Sequence, residues 1–572
     1  MMRSKLSYTA AALAVVITAA MAIPAIGAAT ATTESVDLET ITSIRQEGFR
    51  NSKVMDTLSE LTDRIGPRLT GSPNMKRAND WTREQLEKWG LANAHLESYG
   101  PFGRGWSEES VFVRMVSPDV AMLIAQPEAW TPSTPGLLRG RVVRAKLERT
   151  EDFEKYRGKL AGQIVLLGEM RDVKPHEDVE MQRYDDKRLE QIYLYQAAMR
   201  RGYERPSREE MVRRLQFRKE LVKFLTDEKV AAVIKPSSGD GGTIFVQGTQ
   251  AYKKDEPMGV PSLVMSIEHY GRILRLMDRD VPVELEVEVK TKFYDDDPMA
   301  YNTVAEIPGT DKKDEIVMLG GHLDSWHTGT GATDNGCGVA VAMEAVRILK
   351  SLGVKPRRTI RIALWSGEEE GLLGSKAYVT QHIGERQPPP NQSPSEAALP
   401  SYMRRETGPV VTKAEWGKVS AYFNLDNGSG KIRGIYTQEN ASVRPIFEAW
   451  LEPFRDLGAG TVTMRMTGGT DHLPFDAVGV PGFQFIQDPL EYESRTHHSN
   501  MDVYERAQKD DLMEAAVIMA SFVYNAAMRD QMMPRKPFGA DTKVIRAEEK
   551  PAGDKAVAER GGTKVKKAAK KE

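Results

Sequence analysis

Cysteine is almost absent from this chain: Cys337 is the only one in 572 residues. No intrachain disulfide can form, so stability must come from the core and from any bound ion. Cys337 itself reads as a small packed residue opening a helix rather than as a nucleophile. An excess of charge of one sign is also missing. The 79 Lys and Arg balance 81 Asp and Glu to a net −2, so no global field points to nucleic acid. After residue 31 no stretch stands out as a membrane span. There is no G-x-S-x-G stretch, and so no sign of a serine nucleophile on a strand-to-helix elbow. Histidine is scarce, with nine in the chain, which makes the place of each informative.

Residues 1–31 read as a secretory signal. Arg3 and Lys5 precede the apolar run AALAVVITAAMAI, Pro24 breaks it, and Ala25-Ile26-Gly27 places small residues at a cleavage site. The alternative is a retained anchor, since Leu6 to Ala29 is long enough to cross a bilayer. Cleavage predicts a secreted protein, extracellular or periplasmic, with no stable membrane span.

The length predicts two or three domains. Residues 32–131 begin with helical spacing in Leu58, Leu61 and Ile65, and in Trp81, Leu86 and Trp89, around the loop GPRLTGSP. Residues 132–289 change character, with short β-rich runs such as GQIVLLGE, VAAVIKPS and VELEVEVKTKF. They are interrupted by a charged, helix-prone excursion from Asp172 to Asp227. This region reads as an inserted domain without an obvious metal-holding cluster. Residues 290–535 alternate strand and helix: DEIVMLGGH, VAVAMEAVRILKSLG, RTIRIALWS, VSAYFNLD and GFQFIQD. That alternation predicts an α/β fold with a mixed, mostly parallel sheet and helices on both faces. Ligands of such sheets bind beyond the carboxyl ends of the strands. Residues 536–572 are rich in Lys, Ala and Gly and read as a disordered tail.

Metal-type residues gather at those strand ends. His322 and Asp324 follow a strand and a glycine pair; Asp334 sits in TGATDNGCGVA before a helix. Glu368, Glu369 and Glu370 follow IRIALW, Asp426 ends SAYFNLD, and His497 and His498 lie in SRTHHSNMD. Singly, each has a plain structural reading: Asp334 as a helix cap, the glutamates as a surface acidic run, a lone histidine as a packed one. Five loops that each deliver such a residue point instead to metal-assisted hydrolysis. Imidazole and carboxylate suit zinc, and a neighbouring carboxylate can act as general base. An aspartate two residues past a ligating histidine can accept its second ring N–H.

The set GGHLDS, ATDNGCGVA, SGEEEGLLGS, NLDNGSG and THHSNMD resembles that of the co-catalytic zinc exopeptidases. The early LTDRIGPRLTGSP and the β-rich insert resemble the carboxypeptidase Q branch, in which a protease-associated domain interrupts the peptidase domain. The resemblance implies two zinc ions per chain, one held by His322 and Asp426, the other by Glu369 and His498, with Asp334 bridging. Glu368 would be the general base, acting on a water held between the zincs. Asp324 would back His322, and the Asp334–Asn335 peptide would be cis. Short peptides would be the substrate, and a homodimer is possible. Of the paired histidines, His498 fits the ligand pattern; His497 would pack or line the rim, and His472 would order a nearby loop. For the recognised chain end, Arg465, Arg495 and Lys376 are candidate cations. Rival readings of the same fold are a single-zinc glutaminyl cyclase-like acyltransferase, a catalytically dead binding protein, and a hydrolase of non-peptide amides.

Overall fold

The computed structural model describes residues 34–546, apart from 178, 195–206, 398, 400–403, 405 and 540–541. The leader expected at 1–31 and most of the expected tail lie outside these residues. An eight-stranded mixed sheet forms the centre. Its order, by first residue, is Ala92, Met299, Arg358, Lys312, Val419, Gly482, Ile432, Thr461. The four middle strands, Arg358–Trp365, Lys312–His322, Val419–Asn424 and Gly482–Gln487, run parallel. Antiparallel strands flank them.

Alternation along these strands feeds two cores. Val317, Leu319, Ile360, Ile362 and Phe423 face one side, against the helices Cys337–Ser351 and Lys509–Met528. Met318, Ala363, Trp365 and Tyr422 face the other, against Tyr378 and Phe475. Both sheet faces are therefore covered, as continuous apolar strands require. Helix Lys509–Met528 is long and apolar enough to cross a membrane by composition, a candidate the bare sequence did not suggest. It is buried in the core, and that accounts for its apolar character.

A second eight-stranded sheet takes its strands from Gly105–Ser117 to Glu284–Tyr294. It starts earlier than the 132 read from composition. The strand Gly105–Ser117 pairs along its length with Glu284–Tyr294, but SEES in its middle is exposed or half-buried and hides the strand pattern. Among its described residues, the charged excursion forms the helices Asp186–Tyr193 and Arg208–Asp227. The second of these lays Phe217, Leu221 and Phe224 on the sheet beside Phe153. The tail is ordered further than expected. Lys536 bonds Asp476, and Val544–Ile545 pairs with the strand Val410–Thr412.

Candidate metal centre

The carboxyl ends of three neighbouring parallel strands open on one point. The strand Lys312–His322 ends in the site, and glycine lets it come close to its neighbours. A Cβ on Gly320 would lie 1.8 Å from the Ala363 carbonyl oxygen, and one on Gly321 would lie 3.0 Å from that of Leu425. His322 is 1% exposed. Its Nε2 lies 3.3 Å from Asp426 Oδ1 and 3.3 Å from Asp334 Oδ1.

Asp334 faces two ways. Its second oxygen, Oδ2, lies 3.3 Å from His498 Nε2, which is also 3.0 Å from Glu369 Oε2. The Asp334–Asn335 peptide is cis. Asn335 ties this loop to its neighbours: its Nδ2 donates to the Leu425 carbonyl at 2.9 Å, and its Oδ1 accepts from Gly338 N at 3.1 Å. Asp502 holds the loop from outside, accepting from Thr333 N at 2.6 Å, Thr333 Oγ1 at 2.8 Å and Asp334 N at 3.1 Å.

Asp324 is fully buried, but its carboxylate does more than back the histidine. His322 Nδ1 is 3.0 Å from the Asp324 carbonyl oxygen and 3.7 Å from its carboxylate. The carboxylate accepts from Thr70 Oγ1 and from the main-chain N–H groups of Glu368 and Glu369, at 3.0, 3.3 and 3.2 Å. It thus clamps the turn that carries both glutamates.

The paired histidines sit close together. Extended backbone would point the two side chains to opposite sides, yet their rings lie 3.8 Å apart. The reason is local: His498 adopts φ +59°, in the left-handed region, so the chain is not extended there. His497 stacks on Tyr492 at 4.7 Å, with its Nε2 3.8 Å from Asp334. His472 is buried, its Nε2 3.2 Å from the Thr467 carbonyl oxygen, and burial pulls its pKa down to about 4.

Burial and crowding shape the charges. Burial pushes Glu368 well above the usual carboxylate range, with Asp426 and Glu369 adding to the rise; Glu369 and Glu370 follow. Burial would also raise Asp334, but His322, His498 and His497 outweigh it and hold its carboxyl low. Burial would lower His322, yet Asp426 and Glu368 raise it well above its ordinary value. These are carboxylates and imidazoles short of positive charge. A divalent ion among them would stabilise the ionised carboxylates and neutral rings together.

The donor set fits such ions. Ligand atoms of His322, Asp334 and Glu369 lie within 4.8 Å of one another, as do those of Asp334, His497 and His498. Among the described residues, Asp334 Oδ2 and Glu369 Oε1 are buried and accept no hydrogen bond, a cost normally avoided unless something else meets them.

Three residues outside the expected set build the site. Arg68, from GPRLTGSP, is fully buried and donates to the carbonyls of Leu323, Thr330 and Gly331 at 2.7, 2.8 and 2.7 Å. Asp471 is fully buried, bonded to Ser375 Oγ at 2.5 Å, and burial raises its pKa to about 7. Asp502 is the third. A basic residue inside a Gly/Pro loop, and the acidic partners of TDH and NMD, were the available signals; none announces a burial. The candidate cations for a chain end are all engaged. Arg495 pairs with Glu180, Lys376 with Glu406 at 2.6 Å, and Arg465 donates to the carbonyls of Gln191 and Leu194.

A cleft of about 850 Å³ opens beside His497 and His498, and its other walls include Arg171, Glu180, Asp240 and Phe245. The second sheet's region thus forms one side of the cleft.

Residues 302–523 match the model of peptidase family M28. The chain is 26% identical to mouse carboxypeptidase Q over 490 residues, 85% of this chain and 88% of that protein. A peptidase M28 precursor from Shewanella amazonensis SB2B superposes with a TM-score of 0.60 at 25% identity, over 87% of this chain and 98% of that one. BSAP, a zinc aminopeptidase from Bacillus subtilis, shares the fold, with a TM-score of 0.50 at 19% identity over 83% of this chain and 95% of that one. The chain is similar to the M28 peptidases, co-catalytic zinc exopeptidases, over residues 302–523 and to carboxypeptidase Q over most of its length, and is a metallo-exopeptidase.

Proposed function

We propose that this chain is an exported exopeptidase that hydrolyses short peptides with two zinc ions. His322 and Asp426 would hold one ion, Glu369 and His498 the other, and Asp334 would bridge them. The observation that carries this reading is the two-way Asp334 carboxylate, with one oxygen 3.3 Å from His322 and the other 3.3 Å from His498. A single-ion site has no need of a second filled half. When bound, the pair supplies Lewis-acid polarisation of the scissile carbonyl and a nucleophile available at neutral pH.

Glu368 is the general base. It is half-buried beside the charges of His322 and Asp426, and its main chain is fixed by Asp324. Its carboxylate takes the proton of the attacking water and returns it to the leaving amine, so no covalent intermediate is required. Asp324 and Asp502 position the turns of the glutamates and of Asp334. The leader at residues 1–31 supports export. The region of the second sheet reads as a protease-associated-like domain that walls the cleft and restricts it to short peptides.

The test is removal and return of metal, with elemental analysis, on short peptides blocked at one end or the other. Hydrolysis should vanish with chelation and return at two zinc per chain, and the blocked pair should identify the recognised end. Full activity in metal-free protein would refute the reading. Activity complete at one zinc per chain, with cyclisation of amino-terminal glutamine, would replace it with the acyltransferase.

A further inference from the structure

The loop that carries His498 is held by a segment of the second sheet's region. Val246 N–H donates to the His498 carbonyl at 3.0 Å, and Asn500 N–H to the Ile244 carbonyl at 3.1 Å. Asn500 Oδ1 accepts from Ile244 N at 2.7 Å, and Phe245 bridges Ser499. His498 is a non-glycine residue at φ +59°, a conformation that persists where surrounding contacts over-determine it. These contacts do so. They also bring the next side chain, Gln247, to the ring: its carboxamide nitrogen, Nε2, lies 3.1 Å from His498 Nδ1. On the other side of the ring, Nε2 points at Glu369 and Asp334.

We propose that Gln247 is a positioning residue for His498, fixing the ring's tautomer and direction from the second sheet's side of the cleft. The inference rests on the reading of His498 as a zinc ligand. An imidazole that gives Nε2 to a metal must carry its proton on Nδ1. That N–H needs an acceptor, and the Gln247 carboxamide oxygen reaches it by a half-turn of the amide, which leaves the shape unchanged. Partners of this kind orient the ring and raise its basicity, and their loss typically costs about 10- to 100-fold in metal affinity. The region of the second sheet is then part of the metal site as well as a wall of the cleft. Deleting it would disturb His498 and could not report on substrate access alone.

The experiment is zinc titration of the full chain against a competing chelator, with Gln247→Leu, Gln247→Glu and His498→Ala. Gln247→Leu should weaken one of two zinc equivalents by about 10- to 100-fold, leaving the other and the metal-free melting temperature unchanged. Gln247→Glu keeps an acceptor and should bind at least as tightly as wild type. His498→Ala should lose the same equivalent outright. Wild-type affinity in Gln247→Leu overturns the proposal, as does a Glu variant as weak as the Leu variant. Equal weakening of both equivalents with a lowered metal-free melting temperature also overturns it, since that is a folding role. If His498→Ala keeps both zincs, the ligand assignment fails and the proposal falls with it; if it loses one while Gln247→Leu binds normally, only the proposal falls.

Discussion

Arg68 is the side chain on which the site's loops converge, and replacing it tests whether the geometry of the centre is built from the first helical layer. Its guanidinium donates three short hydrogen bonds to carbonyls of Leu323, Thr330 and Gly331, one just past His322 and two just before Asp334. Burial lowers its pKa to about 10, with Asp502, Asp324 and Asp334 opposing the fall, so it stays charged at neutral pH. Hydrogen bonds from a charged group contribute about 1.5–3 kcal/mol each. Arg68→Met keeps most of the volume, makes none of the three, and leaves buried acceptors unmet, so the loss should be about 4.5–9 kcal/mol. A domain has about 5–15 kcal/mol in all. Urea denaturation of the metal-free protein measures the loss without the stabilisation that bound ligand adds. Zinc content, read in parallel, should fall because both half-sites flank the tethered carbonyls. Arg68→Lys should be intermediate, since an ammonium lacks the planar fork. An Arg68→Met protein with wild-type denaturation midpoint and two zincs would refute the reasoning.

Glu368→Gln should keep both zincs and lose about 100- to 10,000-fold in turnover, whereas Glu369→Gln should lower occupancy of one ion; metal lost from the first and retained by the second would reverse the two roles. Asp502→Asn retains one acceptor oxygen where the carboxylate uses two, on Thr333 and Asp334, so zinc affinity should drop about 10-fold or more; calorimetric titration showing no change would count against the clamp. His327 is buried with Nε2 2.8 Å from the Pro127 carbonyl oxygen, and burial lowers its pKa to about 4. The unfolded chain then binds the proton first as pH falls, so this residue's contribution is intact above about 6.5 and is lost on the way down to about 4. The loss amounts to about 2 kcal/mol between pH 7 and pH 5, and His327→Gln should flatten the metal-free stability profile by that amount; an unchanged profile would show that His327 titrates normally.

The metal-type residues of this chain could be found without its fold because each stands at a place the sequence marks. An apolar run ends and the metal-type residue comes next, with glycine just before it at Gly321-His322 and just after it at Leu425-Asp426-Asn427-Gly428. In a parallel sheet those ends lie side by side, so strand spacing alone brings His322 to Asp426 across 104 positions. The alternation of strand and helix, and the apolar faces of Cys337–Ser351, were legible for the same reason: they repeat with the period of the element that buries them.

What holds those residues in place was legible only in part. Arg68 looks like a loop arginine, and only the packing of three segments around it makes it a buried tether. Asp502 and Gln247 carry no local sign of what they hold, since their partners, Thr333 and His498, are 169 and 251 positions away. The directions of His497 and His498 depended on one backbone angle at His498, held by the segment 244–246 from the region of the other sheet. Patterns along a chain report the element that a residue belongs to. Long-range hydrogen bonds to buried carbonyls and ring nitrogens are set by which elements meet, and that is decided by packing in three dimensions.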